Sequence, residues 1–170
     1  MNMTKLPNYT WQAMALSSLS GMRSFSGVAL IAFMLSRNPS KNLERSHLPF
    51  KYLQLPVVAN TMAVLALGEL IGDKLPFTPN RTDVFPLTGR IASGAFTGAT
   101  LLKAQKGNAV TGIILGGACA LAATFASFYL RKWVTGPDKL SNVAAGLIED
   151  GLIFGAGALL ISKLNTKTVK

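Results

Sequence analysis

The sequence predicts an all-α protein: a polytopic membrane helical bundle of about five hydrophobic segments, forming a single integral membrane domain over residues 1–170. Three observations predict it. Apolar residues make up 49% of the chain and charged residues only 14%, against about 25% charged in ordinary soluble domains. The apolar residues fall in long runs parted by short polar stretches, several of them near the ~20 residues that cross ~30 Å of hydrocarbon. Glycines recur four apart within those runs, as Gly68-Gly72, Gly94-Gly98, Gly112-Gly116 and Gly151-Gly155, a spacing that lets helix backbones approach closely where water supplies no drive.

The first segment runs from about Trp11 to Leu35 and is interrupted by Ser17, Ser18, Ser20, Arg23, Ser24 and Ser26. The second covers Pro56 to about Leu75, and Pro56 suits a helix first turn. Pro76, Pro79 and Pro86 punctuate the connection that follows. The third segment, Leu87 to Leu102, is short at 16 residues and holds Arg90 in its first turn. Lys103 to Asn108 reads as a tight turn. The fourth segment is Ala109 to Leu130, and the fifth is Val143 to Ile161, with Ser141-Asn142 as its cap. Either the interrupted first segment or the short third is expected to be a broken or re-entrant helix, which lipid tolerates only where the irregular backbone is buried in protein. The count is then five spans, or four and a re-entrant piece.

The net charge of +10 is spread over every loop, without a dense basic run or aromatic-basic interleaving. That distribution excludes a nucleic-acid partner and fits anchoring at lipid headgroups. Nine basic residues (Arg37, Lys41, Arg45, Lys51, Lys103, Lys106, Lys163, Lys167, Lys170) fall on one side of the predicted topology, and six (Lys5, Lys74, Arg81, Arg131, Lys132, Lys139) on the other. The C-terminus is therefore expected in the cytoplasm and the N-terminus outside; nine against six is a small bias and leaves a dual orientation open. Met1 to Thr10 is not expected to be a cleavable signal, because the apolar run after it is too long. Cys119 is the only cysteine and His47 the only histidine, and neither composes a metal or disulfide framework. No cofactor is expected.

Four of the seven acidic residues, Glu69, Asp73, Glu149 and Asp150, fall in the second or fifth segment, while Arg23 and Arg90 fall in the first and third. A charge at a bilayer centre costs about 2.5–3.5 kcal/mol even on the lenient insertion scale, so such residues face the bundle interior, pair, or line water. Glu69 and Asp73 share a helix face and call for a cation, with Arg23 and Arg90 available. Glu149 and Asp150 are adjacent and point about 100° apart on a helix, so at least one faces inward. These six residues are the candidate binding or transport site. The competing reading makes them architectural, with Arg23 and Arg90 paired to Glu69 and Glu149. A faint repeat accompanies them. Arg-x-x-Ser-Gly occurs at Arg23 and Arg90, and Leu-Ile-x-Asp at Leu70 and Leu147, either by duplication or by chance.

At these same residues the sequence resembles a family of small bacterial membrane proteins catalogued as a domain of unknown function, number four-one-two-six in that series. The resemblance spans about Ser20 to Leu160. It rests on Gly21-Met22-Arg23-Ser24-Phe25, Glu69-Leu70-Ile71-Gly72-Asp73-Lys74-Leu75-Pro76, Arg90-Ile91-Ala92-Ser93-Gly94-Ala95 and Ile148-Glu149-Asp150. Ile91 stands where the family has proline. The resemblance implies a multi-pass protein of the bacterial inner membrane and supports the importance of the charged set; it implies no activity.

The function expected from these residues is a small transporter or channel for a solute or ion. The arginines would hold an anionic group or fix the carboxylates, and a buried carboxylate would carry a proton or cation. Five segments leave little room for a pathway, so a homodimer joined through the Gly-rich faces is the expected assembly. Two rivals are a non-transporting membrane subunit or scaffold and, ranked last, an intramembrane lipid-modifying enzyme. No nucleophile elbow, phosphate-binding loop or His/Cys cluster supports the latter, so no enzyme is expected.

Overall fold

The computed structural model describes residues 8–46, 49–72, 83–135 and 142–168. Among these there are seven α-helices and no strand. They are α1 Asn8–Met22, α2 Ser26–Arg37, the single turn α3 Lys41–Glu44, α4 Pro56–Gly72, α5 Val84–Ala104, α6 Ala109–Val134 and α7 Asn142–Thr168. A short 3-10 helix, Phe50–Gln54, leads into α4.

The first apolar segment is broken, and the break lies at its hydroxyl-rich, Arg-containing stretch. Helix α1 stops at Met22 and α2 starts at Ser26. The chain also reverses there. Ser26 Oγ donates to Leu19 O over 2.8 Å, and a Cβ on Gly27 would lie against Ser20 Oγ and Leu16 O. In a continuous helix Leu16 and Gly27 would be about 16 Å apart at 1.5 Å per residue. Helices α1 and α2 thus form a hairpin whose arms, 15 and 12 residues long, reach only about 22 and 18 Å.

The third segment is longer than its apolar run. Helix α5 has 21 residues and starts three residues ahead of Leu87. Pro86, expected in the connection, is the third residue of α5, where a missing N–H costs nothing because the first four amides of a helix have no intrahelical acceptor. Arg90 is consequently the seventh residue of α5 and not in its first turn. The two Arg-x-x-Ser-Gly motifs are therefore structurally unlike: one lies at a chain reversal and the other inside a helix.

The tight turn after α5 spans residues 105–108. Lys106 adopts a left-handed φ of 61°. Gly107 N donates to Leu102 O (2.7 Å) and Lys106 N to Lys103 O (3.2 Å), the double bond of a Schellman C-cap. Asn108 Oδ1 then accepts from Val110 N at 2.8 Å and caps α6.

Helices α1, α5 and α6 make the tightest packing, and glycine is what permits it. A Cβ on Gly112 would lie 2.6 Å from Ala99 Cα and Gly98 O, and Gly94, Gly98 and Gly116 are crowded in the same way. Two of the four spaced glycine pairs thus face each other across α5 and α6. At Gly68, Gly72, Gly151 and Gly155 nothing lies within 4 Å of an added Cβ. Ser17 Oγ threads between the helices and donates to Gly94 O at 2.9 Å.

Helix α4 packs on α2, and α7 mainly on α1 and α2, with Ile153 fully buried. The connection after α2 is tied to the end of α5, where Ala104 O accepts from Ser40 Oγ (3.0 Å) and Asn42 Nδ2 (2.8 Å).

Among the described residues one helix, α6, is long and apolar enough to cross a membrane. Helices α2 and α4 are apolar but shorter. Helix α5 carries Arg90 with four Ser and Thr hydroxyls, and α7 carries Glu149 and Asp150.

Candidate functional site

A helix that ends inside a protein leaves its last carbonyls and the next helix's first amides without intrahelical partners. At the α1–α2 break these groups are met by side chains from three other helices, α4, α5 and α6. Gly21 O, near the end of α1, accepts from Thr124 Oγ1 of α6 at 2.7 Å and from Arg90 Nη1 of α5 at 3.5 Å. Ser24 O accepts from Ser93 Oγ of α5. On the other side of the break, the Glu69 carboxylate of α4 accepts from Ser24 N at 2.8 Å and Phe25 N at 3.0 Å. A cation thus lies at the carbonyl end of α1 and an anion at the amide end of α2, the arrangement that complements both helix dipoles.

Arg23, at the reversal itself, is 3% exposed and points to α7. Its Nε donates to Asp150 Oδ1 at 2.7 Å, and Nη2 is ion-paired with the same oxygen. Asp150 is buried, and its Oδ2 has no hydrogen-bond donor among the described residues. Arg90 is 2% exposed. Ser20, Thr97, Thr124 and Ser127 add a layer of buried hydroxyls on α1, α5 and α6, with Ser20 Oγ and Thr97 Oγ1 3.4 Å apart.

Four of the six nominated residues, Arg23, Glu69, Arg90 and Asp150, therefore converge on the five residues Gly21 to Phe25. The expected pairing of Arg23 and Arg90 with Glu69 and Glu149 is replaced. Arg23 takes Asp150, while Glu69 and Arg90 meet backbone groups of the break. Backbone amides at a chain reversal need an acceptor as much as a cation does, and sequence cannot display that demand. Glu149 turns the other way, with Oε2 3.6 Å from Arg131 Nη1 on α6, as the 100° step between neighbouring helix residues requires. Asp73 lies outside the described residues.

Arg131 was not nominated from sequence, since Arg131-Lys132 at the end of an apolar run reads as a headgroup anchor. The signal that could have found it is Glu149 itself, an acidic residue in an apolar run with no other cation assigned. Thr124, one of several hydroxyls in the fourth segment, carried no signal at all.

No curated protein and no solved structure matches the chain. A family model described as Domain of unknown function (DUF4126) matches residues 11–163. That stretch contains the hairpin, its break and every helix that dresses it, and the chain belongs to this family.

Proposed function

We propose that the protein is a polytopic inner-membrane protein of four spans and a re-entrant hairpin, and that it passes a small ion or solute at the hairpin tip. The observation that carries the reading is the break at Arg23 to Phe25, where Arg23 is buried and ionisable residues from α4, α5 and α7 gather. Half-length helices meeting inside a bundle are how many transporters place helix ends and charged groups at a substrate, and irregular backbone at such depth is tolerated where it is buried in protein or lines a cavity. In this reading Arg23 and Arg90 hold charge in place. The Asp150 carboxylate, with one oxygen on Arg23, is the group that exchanges a proton or cation. No catalytic residue is assigned.

The hairpin also revises the topology. If α1 and α2 enter and leave by one face, Lys5 joins the side that holds Arg37, Lys41, Arg45 and Lys51. The basic residues then divide ten against five instead of nine against six. Both termini are cytoplasmic in this arrangement, and the hairpin tip points outward.

One observation favours the scaffold reading: Arg23 is held by Asp150, while Glu69 and Arg90 bind backbone groups of the break. Flux separates the two. The purified protein in liposomes is loaded with a pH-sensitive dye and challenged with gradients of protons, potassium, sodium and chloride, beside the double variant Arg23→Gln/Asp150→Asn. Flux of one ion above empty liposomes, lost in a variant that still folds, is the expected result. No flux in any gradient, with the variant only less stable, would leave the scaffold.

A further inference from the structure

Because α7 leans on α1 and α2, a groove of about 110 Å³ opens between the last turns of α6 and the first half of α7. Met22 lies at its base, and Leu130, Ile148 and Leu152 line it, each more than half exposed. Among the described residues that line this apolar groove, the charged ones are the pair Arg131–Glu149. The pair is loose. Its 3.6 Å separation exceeds the ~2.8 Å of a hydrogen-bonded guanidinium–carboxylate contact. Arg131 keeps 27% of its side chain exposed, against 10% for Glu149. Gly146 leaves room for it: a Cβ there would lie 3.3 Å from Arg131 Nη2. Exposed Tyr129, Lys132 and Trp133 flank Arg131 at the same end of α6, the mixture of aromatic and basic side chains that marks headgroup level.

An apolar groove with a cation at headgroup level has the polarity profile of a lipid and not of a soluble solute. We propose that this groove binds an anionic phospholipid, with the phosphate on Arg131 and an acyl chain along Leu130, Ile148 and Leu152. The guanidinium fork suits a phosphate better than a loose carboxylate contact does. The phosphate therefore competes with Glu149 for Arg131. Lipid binding thereby acts on the residue next to Asp150, at the tip of the hairpin. The proposal rests on the membrane placement given above and is independent of flux.

The test uses protein purified in detergent from carbonate-washed membranes. It is titrated with phosphatidylglycerol, phosphatidylcholine and oleate, and bound lipid is read by native mass spectrometry beside the unfolding temperature. The phosphatidylglycerol complex should be about tenfold tighter than the phosphatidylcholine one, the worth of one charge-assisted contact. Arg131→Gln should abolish that preference, and Lys132→Gln should keep it. Glu149→Gln should tighten phosphatidylglycerol several-fold by removing the competing carboxylate, the opposite of what structural damage would do. Equal binding of the two phospholipids, equal losses in Arg131→Gln and Lys132→Gln, or weaker binding in Glu149→Gln would each overturn the proposal. So would oleate binding as tightly as phosphatidylglycerol, which would give the groove to a fatty acid. Protein released by the carbonate wash would overturn the membrane placement itself, whereas retained protein without lipid preference overturns only the groove.

Discussion

Arg23 and Asp150 stand 127 residues apart in the chain and meet at the reversal between α1 and α2, where one carboxylate oxygen takes both Nε and Nη2 of the guanidinium. A pair this deeply buried costs desolvation on both sides, so its removal as a unit and its halving have different consequences. Asp150→Leu alone should cost about 3–5 kcal/mol by stranding a buried cation. The double variant Arg23→Met/Asp150→Leu should recover most of that loss. Thermal unfolding of the four proteins of the double-mutant cycle measures it, and additive losses would show that the two side chains are not energetically coupled.

Glu69 works on backbone and not on a cation. Its carboxylate holds the amides of Ser24 and Phe25 and clamps α4 to the start of α2. Glu69→Ala should cost about 1–2 kcal/mol, as the loss of a helix cap does. Amide hydrogen exchange should accelerate at Ser24 and Phe25 and leave the middle of α6 unchanged. Uniform acceleration across the chain would count against a local cap.

The glycines divide into two kinds that a single substitution tells apart. Gly112→Ala forces a methyl onto the backbone of Ala99 and Gly98 and should destabilise by about 1–3 kcal/mol. Gly151→Ala enters open space and should be neutral or stabilising, by up to about 1 kcal/mol, because alanine is the better helix former. Equal effects at the two sites would contradict the packing of α5 against α6.

Lys106 occupies the left-handed position of the α5 C-cap, φ 61°, where a side chain other than glycine's costs about 1–2 kcal/mol. Lys106→Gly should raise stability by about 0.5–1 kcal/mol after the added freedom of the unfolded chain is discounted. A fall in unfolding temperature would mean that the lysine side chain makes a compensating contact.

Helix positions were legible where a run of apolar residues is itself the cause of the helix. Helix α6 starts at the expected Ala109, and α4 starts at Pro56. Legibility failed where a proline sits in a helix's first turn, as Pro86 does in α5, since a proline in a first turn looks the same in sequence as a proline in a loop. The serines around Arg23 did announce a disturbed helix. Their spacing could not say that the chain doubles back, because that depends on Gly27 meeting Leu16 and Ser20 across the turn.

For the candidate site, the identity of the buried charges was legible and their partners were not. Burial cost selects the residues: an arginine or carboxylate inside an apolar run stands out on its own. Pairing is decided by helix placement in three dimensions, so Arg23 meets Asp150 rather than Glu69, and Glu149 meets a cation that had been assigned to the surface.

The hairpin has a consequence for how the chain is made. Its two arms, at about 22 and 18 Å, precede α4 to α7 in the chain, and each is shorter than the ~30 Å of a membrane span. The groups that satisfy the break between them (Glu69, Arg90, Thr124 and Asp150) are all encoded later. The hairpin is therefore synthesised before the groups that seat it. Its tip is seated only once α4 to α7 have assembled the polar socket that receives it.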